Sequence, residues 1–451
     1  MVSDASFSRT AWAALGEDPV ALGLIRSCEV PLNATVPVGP LVHDAIAVAS
    51  LSAALLLARR TGTAVPSVEL DPARVATAVT SERHYRLDGE PMNAWAELSG
   101  FWQTSDGWVR THANYPHHRA SLLGALGLPD TTTAHDLSAH LLGRRAQEVE
   151  DAVAERGGVA VAVRTEEQWR AHPQARAVAD SPLVGLTRGG DAPARHMPPA
   201  DEDAPAAGIR VLDLTRVIAG PVATRTLALW GADVLRVDGP ARPEITAQHL
   251  DTGAGKRSTI IDLATDRDAF EQLLASADVV VTGYRPGALD RFGLSPEALA
   301  ERHPGIVVAR LSAWGTAGPF APRRGFDSIV QAASGIGWLE TADGARPGAL
   351  PAQALDHSAG YLVAAAITTA LRRQLDEGGS WLVETSLARV AHELLDAPRT
   401  PTGGAAPWQP TVATHDGLTT ALPAAAYDGG PTQWPSPPVP WGTSEARWSE
   451  R

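Results

Sequence analysis

Asp356 is the residue whose type and setting best suit covalent chemistry. It stands in Leu355-Asp356-His357-Ser358-Ala359-Gly360, at the head of a long Ala-rich segment of helical composition. A carboxylate is a poor nucleophile in water, but when held and partly desolvated it can attack a thioester, giving an anhydride or an aspartyl thioester. The positive end of a helix dipole favours its ionised form over the ordinary pKa of about 3.9. Aspartate is also a common helix N-cap, and spacing alone favours that plainer role. Lys256-Arg257 form a second candidate, because Lys256 is the only lysine among 38 basic residues and follows Gly253 and Gly255. A compact ammonium beside a guanidinium, approached by glycine backbone, suits a phosphate group. The plain alternative is a solvated basic pair before a strand. Arg285 and Arg291, in Tyr284-Arg285-Pro286-Gly287-Ala288-Leu289-Asp290-Arg291, supply two more cations, although Arg285 alone also fits a surface ion pair of little energetic value. The histidines, among them His112, His117 and His118, show no metal-ligand spacing, so no metal site is expected.

The elements that must position these groups begin at Gly208. Ile209, Val211 and Leu212 form an apolar run ending in Asp213, as expected for a buried parallel strand. Gly220-Pro221 opens a helix whose missing N–H costs nothing, the helix runs from Val222 to Trp230, Gly231 stops it, and Ala232 to Val237 form the next strand. A strand-turn-helix of this kind offers backbone N–H groups to a nucleotide-like ligand. No GxGxxG is present, so an ordinary dinucleotide site is not supported.

A series of motifs follows: GAGKRSTIIDL (253–263), ADVVVTGYRPGALDRFGL (277–294), HPGIVVARLSAWGTAGP (303–319), GFDSIVQAASG (325–335) and ALDHSAGYLVAAAITTALRR (354–373). In this order and spacing they resemble the class III CoA-transferase family, which includes formyl-CoA and carnitine CoA-transferases and α-methylacyl-CoA racemase. The resemblance covers nearly all of Gly208 to Leu395. It implies a doubly wound, Rossmann-like α/β fold with a second, smaller α+β domain. It also implies that Asp356 is the nucleophile rather than a cap, that Lys256, Arg257, Arg285 and Arg291 hold coenzyme A with Tyr284 at an aromatic position, and that Arg216, Val217 and Ala219 lie in the loop used against CoA. Gly283 stands where many members have Asn. Ile218 replaces the glutamine of formyl-CoA transferase, which argues against that small polar substrate. Phe326 replaces the catalytic histidine of the racemases, which argues against two-base proton exchange.

The rest of the chain reads as an unusual arrangement of related parts. Val42 to Arg60 parallels Leu355 to Arg373, Ala73 to Ala76 matches Ala388 to Ala391, and Ser105 to His112 parallels His415 to Leu422. Three matches in one order point to internal duplication. His43-Asp44 falls at the place of Asp356, one residue out of register, without the Lys-Arg and RPG motifs upstream, and reads as structural. The expected layout is an N-terminal helical segment and partial repeat (1–94), a smaller α+β domain resembling the family's C-terminal part (95–187), a linker (188–207), the CoA-binding α/β domain (208–395) and a Pro/Trp-rich strap (396–451).

Length and charge bound the function. The chain has 451 residues and a formal charge of −13, which suits two or three domains and argues against a nucleic-acid partner. The single cysteine, Cys28, fits a reducing compartment. The longest uncharged apolar run, Ala45 to Ala58, is short for a bilayer, so a cytoplasmic protein with no membrane partner is expected. The family implies a homodimer. The expected activity is transfer of CoA between an acyl-CoA thioester and a carboxylic acid through an aspartyl intermediate, with CoA as substrate and no permanent cofactor. The rivals are an acyl-CoA isomerase or racemase of the same fold and a non-catalytic CoA-binding homologue.

Overall fold

A computed structural model describes residues 6–197, 200, 203–399 and 407–450. The elements that matter for the site are, in chain order, α1 (Val38–Thr61), β1 (Gly185–Gly190), β2 (Arg210–Leu214), α2 (Ala219–Leu229), β3 (Asp233–Asp238), β4 (Arg257–Ile260), β5 (Val279–Thr282), β6 (Val307–Ser312), α3 (Asp327–Ser334), α4 (Ala354–Asp376) and β7 (Ser380–Ser386). The seven strands form one sheet in the order β4-β3-β2-β5-β6-β7-β1, parallel except for β1. Alternate residues along the strands enter two different cores. Val211, Val234, Val279, Val281 and Ala309 pack with α1, α2 and α4. Leu212, Leu235, Val280 and Val308 pack with Phe270, Leu273 and Leu299 from helices on the other face. Strands buried on both faces read as unbroken apolar runs such as Val279-Val280-Val281, and helices on both faces make the sheet doubly wound.

A third core belongs to the smaller α+β unit. There Phe101–Gln103, Trp108–Thr111 and Ala160–Ala162 make an antiparallel sheet, with Val109, Leu122, Leu137 and Val153 packed between it and three helices. The boundary expected at residue 188 is corrected. Gly185–Gly190 leave the smaller unit and pair antiparallel with β7, so the start of the expected linker is an edge strand of the large sheet. Its Gly-Leu-Thr-Arg-Gly-Gly sequence has no alternating apolar side chains; β7 supplies the hydrogen bonds that make it a strand. The expected strap also contains regular structure: Val412–His415 and Leu418–Ala421 form a hairpin that joins Arg86–Leu87 and Glu90–Pro91 in a four-stranded sheet. Beyond it the chain runs along the large sheet, with the Gly255 N–H donating to the Ser436 carbonyl at 2.9 Å and the Ser444 N–H to that of Ser258 at 2.7 Å. Parts of three expected segments, residues 1–5, 198–199 with 201–202, and 400–406 with 451, lie outside the described residues.

Helices α1 and α4 lie side by side. The Ser52 hydroxyl reaches the Ala365 carbonyl at 2.8 Å, and Ala365 is the residue aligned with Ser52 in the repeat. Thr368 and Thr369 hydroxyls lie 2.7 and 2.8 Å from the Ser52 hydroxyl oxygen. A residue that meets its own counterpart marks a pseudo-twofold axis. By length and composition α1 can cross a membrane, which the run Ala45 to Ala58 did not reveal, but most of its apolar stretch is buried inside the protein.

Candidate active site

The sheet order reverses between β2 and β5, so the loops at their C-terminal ends face one crevice. That crevice is a cavity of about 700 Å³, lined by the loop after β2 (Arg216, Val217), the start of α2 (Ala219, Gly220), the turn after β5 (Gly283 to Arg291), and Tyr115, His117 and His118 of the smaller unit. Asp356 lies in its wall and is 7% exposed. Gln353, not Asp356, is the N-cap residue of α4. Gly360, one turn further on, is where α4 meets α2. A Cβ there would lie 2.4 Å from the Ala219 carbonyl oxygen and 2.9 Å from Val222 Cβ. Since residues i and i+4 share a helix face, this close approach turns Asp356 toward the start of α2.

The charge state of Asp356 is the opposite of what its helix position suggests. Burial, and then the negative charge of Asp327, raise its pKa well above the ordinary carboxylate range. Asp327 is itself buried and shifted upward by that burial. It is opposed by its hydrogen bonds: it accepts from the Asp356 N–H at 2.9 Å and from Gln331 Nε2 at 2.5 Å. The donors favour charge on Asp327, leaving the proton on Asp356. The helix dipole is outweighed by desolvation.

Arginines ring the cavity. Arg216 is consumed by the protein: it donates to the carbonyls of Arg242 at 2.7 Å and Pro243 at 2.9 Å, and to Glu244. Arg285 gives one nitrogen to the Pro322 carbonyl at 2.9 Å, and Arg324 gives one to the Gly157 carbonyl. Among the described residues, no carboxylate or hydrogen-bond partner meets the guanidinium of Arg242 or of Arg291; Arg291 lies over the Phe292 ring at 4.6 Å. Burial and then the charges of Arg285 and Arg242 lower the pKa of Arg324, so these cations converge without a carboxylate between them. An anion of the ligand fits that field. Burial, with neighbouring charges, takes His112 down to about 3 and His118 to about 2, so both imidazoles are neutral.

Residues 206–428 match the model of CoA-transferase family III. A probable fatty acyl-CoA transferase of Mycobacterium tuberculosis, Rv3272, is 34% identical over 212 residues, 43% of this chain and 53% of its own. An acyl-CoA transferase of Gibberella moniliformis is 31% identical over 323 residues, covering 66% of this chain and 57% of its own. The succinyl-CoA--L-malate CoA-transferase alpha subunit of Chloroflexus aurantiacus is 32% identical over 212 residues, 43% of this chain and 49% of its own. This segment, just under half of the chain, is thus similar to CoA-transferase family III. The chain spans about half the length of these relatives.

Within this segment, seven of the residues singled out from the sequence meet at the cavity: Asp356, Arg216, Val217, Ala219, Tyr284, Arg285 and Arg291. Two are elsewhere. Lys256 is 3% exposed, and its ammonium donates to Asp213 at 3.0 Å, Thr224 at 3.0 Å and the Pro221 carbonyl at 3.3 Å. Burial brings its pKa down to about 8. It ties the end of β2 to the first turn of α2 and has no hydrogen left to offer a phosphate. Arg257 pairs with Asp233 at 2.7 Å and with the Arg447 carbonyl at 2.5 Å, at the C-terminal segment rather than the cavity. Both therefore stand corrected as phosphate ligands. Arg242, Arg324, Asp327, His117 and His118 were missed. The Arg323-Arg324-Gly325-Phe326-Asp327 run was a visible signal, whereas nothing local in Arg242 or His118 distinguishes them from surface residues.

Proposed function

We propose that this chain moves CoA between an acyl-CoA thioester and a carboxylic acid, with Asp356 as the nucleophile. One observation carries the reading: a buried carboxyl opens into a 700 Å³ cavity whose walls hold arginines with no carboxylate partner. The Asp356 carboxylate, having lost its proton, adds to the thioester carbonyl; the C–S bond breaks and CoA leaves as thiolate, giving a mixed anhydride. The thiolate attacks the aspartyl carbonyl, forming an aspartyl-CoA thioester and releasing the donor's acid as carboxylate. The acceptor carboxylate then attacks this thioester, giving a second anhydride and freeing thiolate. That thiolate takes the acceptor's acyl group, and Asp356 returns as carboxylate.

The phosphates of CoA would lie on Arg242, Arg285, Arg291 and Arg324. Exclusion of water from the Asp356 wall protects the anhydride from hydrolysis. At the position that argues against a racemase, the Phe326 ring lies flat against His112 at 3.8 Å and brings no proton-transferring group. The relatives' names differ in acyl group, so the test is a panel of acyl-CoA thioesters and carboxylic acids, read by exchange and by intact mass. Trapping with hydroxylamine or borohydride should mark the Asp356 peptide. Exchange that persists with no adduct on that peptide would sink the reading.

A further inference from the structure

Glu244 is the most heavily used carboxylate near the cavity, although it does not line it. It is fully buried. One oxygen accepts from the Tyr115 hydroxyl at 2.5 Å, the Ile245 N–H at 3.1 Å and Arg216 Nη2 at 3.3 Å. The other accepts from the Val217 N–H at 3.1 Å, Arg236 Nη2 at 3.1 Å and Arg216 Nε at 3.4 Å. These donors come from separate parts of the fold: the smaller unit, the loop after β2, and β3. Burial would raise the Glu244 pKa, but Arg216, Arg236 and these bonds bring it down to about 2, so it is charged at neutral pH. Asp238 takes the remaining face of Arg236 at 2.7 Å, which leaves two arginines against two carboxylates. The Tyr115 ring covers the guanidinium of Arg216 at 5.1 Å.

The loop that Glu244 holds is strained. Val217 has φ of 72°, a left-handed conformation that a β-branched residue rarely adopts. Such a conformation costs on the order of 1–3 kcal/mol and persists only where its surroundings over-determine it. The Val217 N–H bond to Glu244 is part of that determination. Two residues on, Ala219 and Gly220 form the cavity wall at the start of α2. Glu244 thus joins the strained loop to Tyr115, a cavity-lining residue of the smaller unit.

We propose that Glu244 and Tyr115 are a positioning pair that locks the smaller unit onto the 216–219 loop and thereby shapes the CoA-facing wall of the cavity. The pair touches no reacting atom. Its kinetic consequence rests on the transferase reading, but its structural consequence does not.

The test uses the full chain with Tyr115→Phe and Glu244→Gln. Tyr115→Phe removes one hydroxyl and keeps the ring over Arg216, so it decides the matter even if Glu244→Gln fails to fold. Hydrogen exchange should accelerate together in segments 113–119 and 214–220, while the amides of α4 keep their protection. The Kd for CoA, measured by calorimetry, should rise about fivefold in Tyr115→Phe, the scale expected for loss of one buried hydrogen bond. With any acyl-CoA that the wild type turns over, KM should rise while kcat stays within about twofold, because Asp356 sits on another element. Unchanged exchange in 214–220, or equal falls in kcat and kcat/KM with KM unmoved, would overturn the proposal. Faster exchange in both segments, in a protein that turns over no acyl-CoA, would uphold the lock and reject the transferase reading.

Discussion

The starts of α4 and α1 are two versions of one sequence with opposite outcomes. Each begins an Ala-rich helix, each carries an aspartate beside a histidine, and the two helices pack against each other. At α4, Asp356 faces the cavity, with Asp327 as its neighbour and arginines across the space. At α1, Asp44 takes the His43 imidazole at 2.9 Å and the Ser8 N–H at 2.9 Å. The helix Phe7–Ala14 lies over that position, and the residues lining the cavity begin only at Tyr115. The helix therefore does not make the site. The loops after β2 and β5 make it, and among the described residues α1 has no such loops above it.

The sharpest way to break the comparison is to remove each aspartate. Asp356→Ala should lower CoA exchange by roughly 10³-fold or more, as loss of a nucleophile does, and abolish the covalent adduct. Circular dichroism should show an intact fold. Asp356→Ala protein with wild-type exchange would put the chemistry elsewhere.

Next in size are the cations that only the α4 end possesses. Arg242→Ala and Arg291→Ala should each weaken CoA by about 10- to 100-fold, since a charge-assisted hydrogen bond is worth roughly 1.5–3 kcal/mol. Comparing CoA with dephospho-CoA by calorimetry assigns each arginine: the one on the 3′-phosphate discriminates the two ligands and the other does not. Arg257→Ala, which faces the C-terminal segment, should leave both affinities alone.

A smaller effect concerns the proton on Asp356. With its pKa raised by burial and by Asp327, the rate should rise with pH as Asp356 loses that proton. Asp327→Asn removes the negative neighbour, so the acid limb of the profile should move to lower pH, while the rate at high pH changes severalfold at most. A limb that stays in place, or moves up, would show that Asp327 does not control Asp356.

Much of this was legible in the sequence, for identifiable reasons. Ile209 to Leu212 announced a buried parallel strand because both faces are apolar, and the paired segments 105–112 and 415–422 each turn at an Asp-Gly between two strands. Asp356 was singled out through its motif, but its protonation was hidden, since the desolvation and the Asp327 charge come from tertiary packing. Lys256 misled for a related reason. A lone lysine after glycines looks like a phosphate ligand until α2 closes over it and Asp213 takes its charge. His117 and His118 reach the cavity only because the smaller unit, far away in sequence, folds onto the sheet, and Arg242 reaches it from the segment after β3, which carries no motif. The strand Gly185–Gly190 exists only through its pairing with β7.

The smallest expected effect lies at α1 and tests whether its aspartate is purely structural. Burial disfavours charge on His43, but the hydrogen bond to Asp44, with Cys28 alongside, outweighs it and carries the pKa up to about 9. A pKa raised on folding stabilises the native state fully below the unfolded value of about 6.5, and that contribution is lost as pH rises through about 9. Wild-type Tm should therefore decline between those limits. In Asp44→Asn the imidazolium loses its partner, so stability at pH 6 should fall by roughly 2–3 kcal/mol. The gap to wild type should then close toward pH 9. CoA exchange, measured at a temperature where both proteins are folded, should be unchanged. A loss of exchange in Asp44→Asn at full folding would mean that α1 retains a share in the chemistry, and the division between the two helices would have to be abandoned.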